Sequence, residues 1–331
     1  MKIIHFKLIF VLLPLTSLCQ QEARLTCATR TPAEPLIFSE RQLQEAQRTI
    51  DYQYVINIYV HILTDDNGTN AATTISQLNI DLQRMAAFFK PHNICFILLG
   101  VDYRASTMIN NSMDPGNASH VAALNATSHQ NTIDIFVHKN FGVAQGGNSY
   151  SIPNHFFSVV QSANFNFEHE MGHALGLYHT FETGYGQECP DGSDCSGDGD
   201  LICDTPADFP GSQNMVAAGA PCVYTGTQTT NCATFPFSDI QTYNPSTNNI
   251  MSYWASCYAQ FTLLQGVRMR TAIANASIIN NCLANYDTPI FAGNTNITIN
   301  GDWYASAKNE ISMGSTGSGQ VQLLGGNTEN G

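Results

Sequence analysis

The chain has 331 residues, and its 13 Lys and Arg side chains face 26 Asp and Glu side chains, for a formal net charge of −13. Binding to nucleic-acid phosphates needs clustered basic side chains, so this balance argues against a nucleic-acid partner. After residue 19 no stretch approaches the roughly 18 uninterrupted apolar residues that a membrane span requires. We therefore expect no transmembrane segment.

The amino terminus has the pattern of an export signal. Lys2 and Lys7 precede an apolar run at residues 8–15, and small residues follow, which predicts a signal peptide over residues 1–19 and a secreted product. Residues 20–50 are polar and show no core-forming period. We predict that they form a pro-segment ahead of the folded domain.

Hydrophobic periodicity then predicts alternating strands and helices. Apolar residues alternate over 55–62, as in a half-buried strand, and a helix capped by Ser76 follows up to Phe89. Thr262 and Gln265 form a capping-box pattern that begins a last helix, expected to run to about Ala284. The remaining predicted elements are strands at 94–101, 133–138 and 156–161 and a helix near 165–176.

Residues 180–250 read mostly as loop, a length that is usually functional or held by disulfides and metals. Six cysteines occur between residues 189 and 257, and the segment is acidic. This density of carboxylates repels itself unless a cation such as calcium neutralises it. The acidic residues are Glu188, Asp191, Asp194, Asp198, Asp200, Asp204 and Asp208.

Residues 169–179 read His-Glu-Met-Gly-His-Ala-Leu-Gly-Leu-Tyr-His. On a helix, His169 and His173 share a face and can reach one metal ion. Gly176 can adopt the left-handed conformation that ends the helix, which returns His179 as a third ligand. Three imidazoles leave one coordination position of zinc open to water, and Glu170 beside them is predicted to act as general base.

Four other interpretations compete with this one. The histidines could be satisfied polar residues of a buried helix, or the zinc could be structural. The third ligand could be a downstream glutamate, for which Glu182 and Glu188 are the near candidates, although neither lies in a helical pattern. Finally, the chain could be a catalytically silent surface adhesin or binding module, a class that loss of Glu170 or of a ligand would have favoured.

The motif and the segments around it resemble the metzincin metalloproteases, and within them the pappalysin (M43-like) family. The resemblance covers roughly residues 50–285. It rests on the motif at 169–179 and on the following segments: Gly146-Gly147 with Ser151-Ile152-Pro153, His179-Thr180-Phe181-Glu182, Gly199-Asp200, Asp204-Thr205-Pro206, Asn249-Ile250-Met251-Ser252-Tyr253, Phe261-Thr262 with Gln265, and Arg268-Met269.

This resemblance implies an α+β fold of the metzincin-type zincin: a mixed twisted sheet, an active-site helix, a loop-rich C-terminal subdomain stapled by disulfides, and a C-terminal helix. It implies a zinc-dependent metalloendopeptidase acting on protein or peptide substrates. The catalytic domain would span 51–285, divided into an N-terminal subdomain (51–179) and a C-terminal subdomain (180–285), with a β-type or flexible tail at 286–331.

The resemblance also assigns roles to single residues. Met251 would form the turn beneath the zinc, and Tyr253 would donate a hydrogen bond to the oxyanion. Asp200, Asp204 and Thr205 would belong to a structural calcium loop, which agrees with the acidic density noted above. Ser252 departs from the family, where Asp is common. That departure leaves the shape of the specificity pocket open.

The disulfide pairing implied by the same resemblance is Cys222–Cys257, Cys195–Cys203, Cys189–Cys232 and Cys95–Cys282. Without Cys19, nine cysteines remain, so Cys27 is left single. Thiolate binds zinc well, and Cys27 could occupy the water position until an activating protease removes the pro-segment. This is similar to the cysteine switch of metzincin zymogens. Finally, we expect the strand at 156–161 to be the sheet edge that binds extended substrate.

Overall fold

The computed structural model describes residues 26–48, 53–161, 166–233, 237–254 and 257–284. The predicted signal peptide and the tail at 286–331 lie outside these residues. Within them, no helix is long and apolar enough to cross a membrane. The strands are β1 Thr26–Cys27, β2 Tyr54–Thr64, β3 Ile94–Ala105, β4 Ile133–His138, β5 Gln145–Asn148, β6 Phe156–Val160, β7 Val216–Ala217, β8 Ala220–Tyr224, β9 Thr229–Asn231 and β10 Ile240–Thr242. The helices are α1 Glu40–Arg48, α2 Ile75–Phe89, α3 Thr107–Ser112, α4 Ala118–Asn125, α5 Asn166–Ala174, α6 Leu263–Asn275 and α7 Ser277–Asn280.

Six strands form one mixed sheet in the order β1-β5-β6-β4-β2-β3. The strands β3, β2, β4 and β6 are parallel to one another, β5 is antiparallel to β6, and β1 is parallel to β5. The mixed sheet with separate helices agrees with the predicted α+β class. The structure corrects the expectation for 156–161: β6 lies inside the sheet, between β4 and β5, so it cannot be an edge.

The two faces of the sheet are buried by different layers. Ile56, Ile58, Val60 and Ile62 of β2 point to one face, where they form the main core with residues of α2, α5 and α6. Leu63 points to the other face, where it packs with residues of α3, α4 and β4. The alternation that predicted β2 therefore marks two buried faces, with a larger core on the side of α5.

The predicted helices are present, with corrected ends. Thr74, two residues before the expected Ser76, caps α2, since its hydroxyl accepts a hydrogen bond from the Gln77 backbone N–H at 3.2 Å. Thr262 and Gln265 make the capping box of α6 as predicted. That helix ends at Asn275 rather than near Ala284, and the short α7 follows after a break at Ala276.

Three disulfides hold the loop-rich region, at pairs that the resemblance implies: Cys189–Cys232, Cys195–Cys203 and Cys222–Cys257. The expected bridge between Cys95 and Cys282 is absent, and both are buried free thiols. Cys95 packs with Val55 on one face of the sheet, whereas Cys282 belongs to the main core on the other face. The sheet itself keeps the two sulfurs apart.

The amino-terminal segment lies on the folded domain. Strand β1 extends the sheet by pairing with β5, and the Ala28 backbone N–H donates to the Gly147 carbonyl at 2.8 Å. Further along, the guanidinium of Arg268 donates to the Leu36 carbonyl at 2.9 Å. Helix α1 then packs against α6. The segment that the sequence marks as polar thus follows a defined path across the domain.

Candidate active site

Three imidazoles converge at the end of α5. His169 and His173 lie one turn apart on this helix, and Gly176, with φ +97°, turns the chain so that His179 returns to them. The Nε2–Nε2 distances are 3.2 Å (His169–His173), 3.3 Å (His169–His179) and 3.1 Å (His173–His179). Zinc–nitrogen bonds of roughly 2.0–2.1 Å in tetrahedral geometry require edges of about 3.3 Å. The three nitrogens therefore fit one zinc ion.

The hydrogen bonds of the outer ring nitrogens fix the tautomers of two of the three histidines. Nδ1 of His169 contacts the Ile250 carbonyl at 2.7 Å, and Nδ1 of His173 contacts the Leu177 carbonyl at 2.8 Å. A carbonyl accepts only, so each Nδ1 carries the proton and each Nε2 presents a lone pair. Burial also lowers the pKa of all three imidazoles, for His169 to about 4. Two lone pairs and a third neutral imidazole that face one another in this way form a set of ligands for a metal cation.

Glu170 lies beside the cluster and is fully buried. Its Oε2 accepts a hydrogen bond from the Thr29 hydroxyl at 3.0 Å, whereas Oε1 is buried without a partner. Burial raises the pKa of this carboxyl to about 8. The backbone of Gly147 runs so close that a Cβ there would lie 2.6 Å from Cγ of Glu170. A bare backbone at residue 147 is thus part of the wall that positions Glu170.

Met251 packs against α5, and Tyr253 lies next to His179. The sulfur of Met251 packs against α5 at Gly172, where an added Cβ would be 2.5 Å from it. The ring of Tyr253 is centred 5.2 Å from that of His179, and its hydroxyl donates to the Cys27 carbonyl at 3.2 Å. Burial raises the pKa of Tyr253, so the phenol stays protonated and remains a donor.

Cys27 joins the histidines. Its sulfur and the ligand nitrogens of His169, His173 and His179 all lie within 4.8 Å of one another. The Thr29 backbone N–H donates to this sulfur at 3.2 Å. Burial and the nearby charge of Glu170 raise the pKa of the thiol. A metal ion among the histidines would reverse that preference, because a coordinating thiol is deprotonated.

Two further contacts at the site were not predicted from the sequence. The Thr29 hydroxyl reaches Glu170, although nothing in the polar amino-terminal segment distinguishes this threonine from its neighbours. Below the site, Asp208 accepts hydrogen bonds from the hydroxyls of Ser252 at 3.0 Å and Thr180 at 2.8 Å. Asp208 is buried and belongs to the acidic loop. Ser252, the residue after Met251, is therefore paired with a buried carboxylate.

Of the three expected calcium residues, Asp200 and Thr205 contact each other, whereas Asp204 faces α6. Both carboxylate oxygens of Asp204 cap α6, with the Thr262 hydroxyl donating at 2.6 Å and the Leu264 N–H at 2.8 Å. Asp200 is buried, and its Oδ1 accepts from the hydroxyl of Thr205 at 2.9 Å. In the part of the chain that the structure describes, two groups of three or more His, Cys, Asp or Glu side chains could hold a metal, and neither includes this loop. The Asp204 carboxylate thus caps a helix, and a calcium-binding role for Asp200 and Thr205 stays a prediction.

The two glutamates considered as a third ligand are engaged elsewhere. Glu182 accepts hydrogen bonds from the Thr183 and Gly184 N–H groups and from the Thr31 hydroxyl. Burial and neighbouring carboxylates raise the pKa of Glu188 to about 7, and neither glutamate is in the metal-binding groups. His179 occupies the third position. A buried carboxylate beside three converging imidazoles defines a metal-dependent hydrolase.

Comparisons with known proteins agree with this class. The model of the peptidase M43 family, described as pregnancy-associated plasma protein-A, matches residues 154–274. An extracellular metalloprotease of Neurospora crassa is 27% identical over 290 residues, which cover 76% of this chain and 90% of the relative. One from Sordaria macrospora is 26% identical over 286 residues, with coverage of 76% and 90%. A crystal structure of metalloproteinase-II from Bacteroides fragilis aligns with a TM-score of 0.31 and 10% identity, over 40% of this chain and 45% of that one. The family model and these relatives support a metalloprotease of the peptidase M43, or pappalysin, type. The chain is a metalloendopeptidase, a class that implies a catalytic metal, typically zinc.

Proposed function

We propose that the chain is a secreted zinc endopeptidase made as a latent zymogen, with zinc held by His169, His173 and His179. The observation that carries the proposal is the convergence of three neutral Nε2 atoms at 3.1–3.3 Å beside a buried carboxylate. Zinc, when bound, supplies a Lewis acid that polarises the scissile carbonyl and makes water more acidic.

The protein's own groups move the proton and stabilise the charge. Glu170 in its carboxylate form accepts a proton from the attacking water and delivers it to the leaving amine. The phenol of Tyr253, whose ring is centred 5.2 Å from that of His179, donates a hydrogen bond to the oxyanion that forms. Oε1 of Glu170 supports this role, because it is a buried acceptor that makes no hydrogen bond of its own.

The substrate path follows from the position of β1. This strand pairs with β5, the sheet edge that ends next to Glu170, so β5 is the edge on which an extended peptide would bind once the amino-terminal segment has left. Binding along a strand requires chain on both sides of the scissile bond. This supports cleavage within chains rather than trimming of their ends.

Latency is supported by three contacts of the same short segment. Cys27 puts its sulfur among the zinc ligands, Thr29 holds the general base, and β1 fills the substrate edge. We therefore assign residues 20–50 to the pro-segment. The exposed Arg48 at the end of α1 is a suitable site for an activating protease.

Secretion is supported by the disulfides and by relatives that are named extracellular metalloproteases. Disulfides form and persist in oxidising compartments. The charged and apolar pattern of residues 1–19 agrees with export.

The test is cleavage of casein by the full-length chain before and after limited trypsin treatment, with amino-terminal sequencing to locate the cut. We expect little cleavage before the cut and rapid cleavage after it. Glu170→Gln, which keeps the shape of the side chain, and a zinc chelator should each abolish cleavage. A processed, zinc-loaded wild type that cuts nothing would favour a silent binding module instead.

A further inference from the structure

A second cluster of metal-binding side chains lies far from α5 in the fold. His61 of β2, Asp134 of β4 and His129 of the loop before β4 place their ligand atoms within 4.8 Å of one another. Nε2 of His61 is 3.4 Å from Oδ2 of Asp134, and Nδ1 of His129 is 3.1 Å from the same oxygen. These distances match the edges of the histidine cluster at the active site.

We propose that His61, His129 and Asp134 form a second metal site, which binds a divalent transition-metal ion of the zinc type. Its donors are two imidazoles and one carboxylate, a set that suits zinc better than calcium or magnesium. Tetrahedral zinc requires ligand–ligand distances of about 3.3 Å. The two distances to Oδ2 of Asp134 given above lie on either side of that length.

The orientation of His61 supports this assignment. Its Nδ1 lies 2.6 Å from Oδ1 of Asp102, a strand residue of β3. The Nε atom of Arg104 also lies 3.4 Å from this nitrogen, so the shorter contact with Asp102 sets the orientation of the ring. In a neutral imidazole, a carboxylate that accepts from one ring nitrogen leaves the other as a lone pair, and metal-bound histidines are commonly held in this way. Nε2 of His61 therefore faces the Asp134 carboxylate, so that two acceptors meet. Either a second proton on the His61 ring or a metal ion resolves that contact, and the zinc count below distinguishes the two.

The local charge and the support of the carboxylate agree. Asp102 and Asp134 bring two negative charges and Arg104, which pairs with Asp102 at 2.8 Å, brings one positive charge, so the site is net negative. Asp134 is held by the Thr132 hydroxyl and by the His129 backbone N–H. It is thus fixed in place before any ion arrives.

The site is rigid on one side and open on the other. His61 and Asp134 are fully buried, whereas the side chain of His129 is 40% exposed. An ion can therefore enter past His129. Once bound, it would tie the loop before β4 to two central strands, which is a structural role rather than a catalytic one.

This site is separate from the active site because the sheet lies between them. His61 alternates with the core residues Val60 and Ile62, which face α5, so its side chain projects to the opposite face. Asp134 likewise alternates with Ile133 and Ile135 of the same core. Metal bound here is therefore counted independently of metal at the active site.

The experiment counts zinc in the tag-free, full-length protein after saturation with zinc and dialysis. Wild type should hold two equivalents and His129→Phe one. Phenylalanine keeps a ring beside Tyr59 and His61, where His129 now packs, but offers no ligand atom. His120→Phe, a histidine of the neighbouring α4 outside both clusters, is the control and should keep two equivalents.

The equivalent of zinc at the active site rests on the proposed function. The difference in zinc content between wild type and His129→Phe does not. Asp102→Asn provides a second measurement without removing a ligand, and it should weaken the second equivalent by roughly 10- to 100-fold. Equal zinc content in wild type and in a folded His129→Phe protein, whether one equivalent or two, would overturn the proposal and leave a hydrogen-bonded triad.

Discussion

The close approach of β5 to Glu170 makes Gly147→Ala an informative substitution. An added Cβ would lie 2.6 Å from Cγ and 2.7 Å from Cδ of Glu170. Ordinary carbon contacts are about 3.5 Å or longer, so the carboxylate must move by about 1 Å. Misplacement of a catalytic group by that amount costs roughly 100-fold, or about 2.7 kcal/mol of transition-state stabilisation.

The assay compares kcat/KM for a quenched peptide in the processed wild type, Gly147→Ala and a control, Gly197→Ala. The control adds the same methyl where the nearest atom, the Asp194 carbonyl oxygen, is 3.7 Å away. We expect Gly147→Ala to keep its zinc and lose about 100-fold in kcat/KM, while the control stays near wild type. A folded Gly147→Ala protein with activity within twofold of wild type would refute the reasoning, because Glu170 would then need no fixed position.

Three further predictions follow from other contacts. Cys27→Ala in the full-length chain should raise casein cleavage only partly, because Thr29 and β1 still block the site; full activity without processing would contradict this. Burial lowers the pKa of His138 from 6.5 to about 4, so folding favours the neutral ring. The contribution of this ring to the free energy of unfolding, about 3 kcal/mol, is fully present above pH 6.5 and is lost as the pH falls from 6.5 to 4. In urea unfolding experiments, the free energy of unfolding of His138→Gln should therefore fall less steeply with decreasing pH over that range than that of wild type. Parallel plots of the free energy of unfolding against pH for the two proteins would contradict this prediction. Asp200 has a buried Oδ2 without a hydrogen-bond partner, which could bind a calcium ion. Millimolar calcium should therefore raise the Tm of wild type by several degrees but not that of Asp200→Asn, with magnesium as the control ion. Equal shifts in both proteins would exclude Asp200 as a ligand.

The site was predictable where its residues are close in sequence. His169, His173 and His179 lie within eleven residues, and helix geometry plus a turn at Gly176 suffices to bring them together. A backbone with positive φ favours glycine, so the residue type at 176 itself indicates the turn. Prediction from spacing therefore works here because local backbone geometry alone sets the contact.

Contacts between distant residues could not be predicted in this way. The expected Cys95–Cys282 bridge needed knowledge of which face of the sheet each sulfur occupies. Likewise, His61 and Asp134 are 73 residues apart and meet only because β2 and β4 are neighbours in the sheet. Strand order is fixed by the packing of the whole domain, and no single stretch of sequence contains it.

The edge strand illustrates the same limit at the substrate site. The apolar run at 156–161 indicated a strand, but an edge and an interior strand differ only in what pairs with them. The run forms β6, whose residues are all buried. The strand that becomes the edge when β1 leaves is the glycine-rich β5, which carries no apolar signal. The glycines make β5 hard to predict as a strand, and they also let its backbone approach Glu170. A weak strand signal here therefore accompanies a functional position.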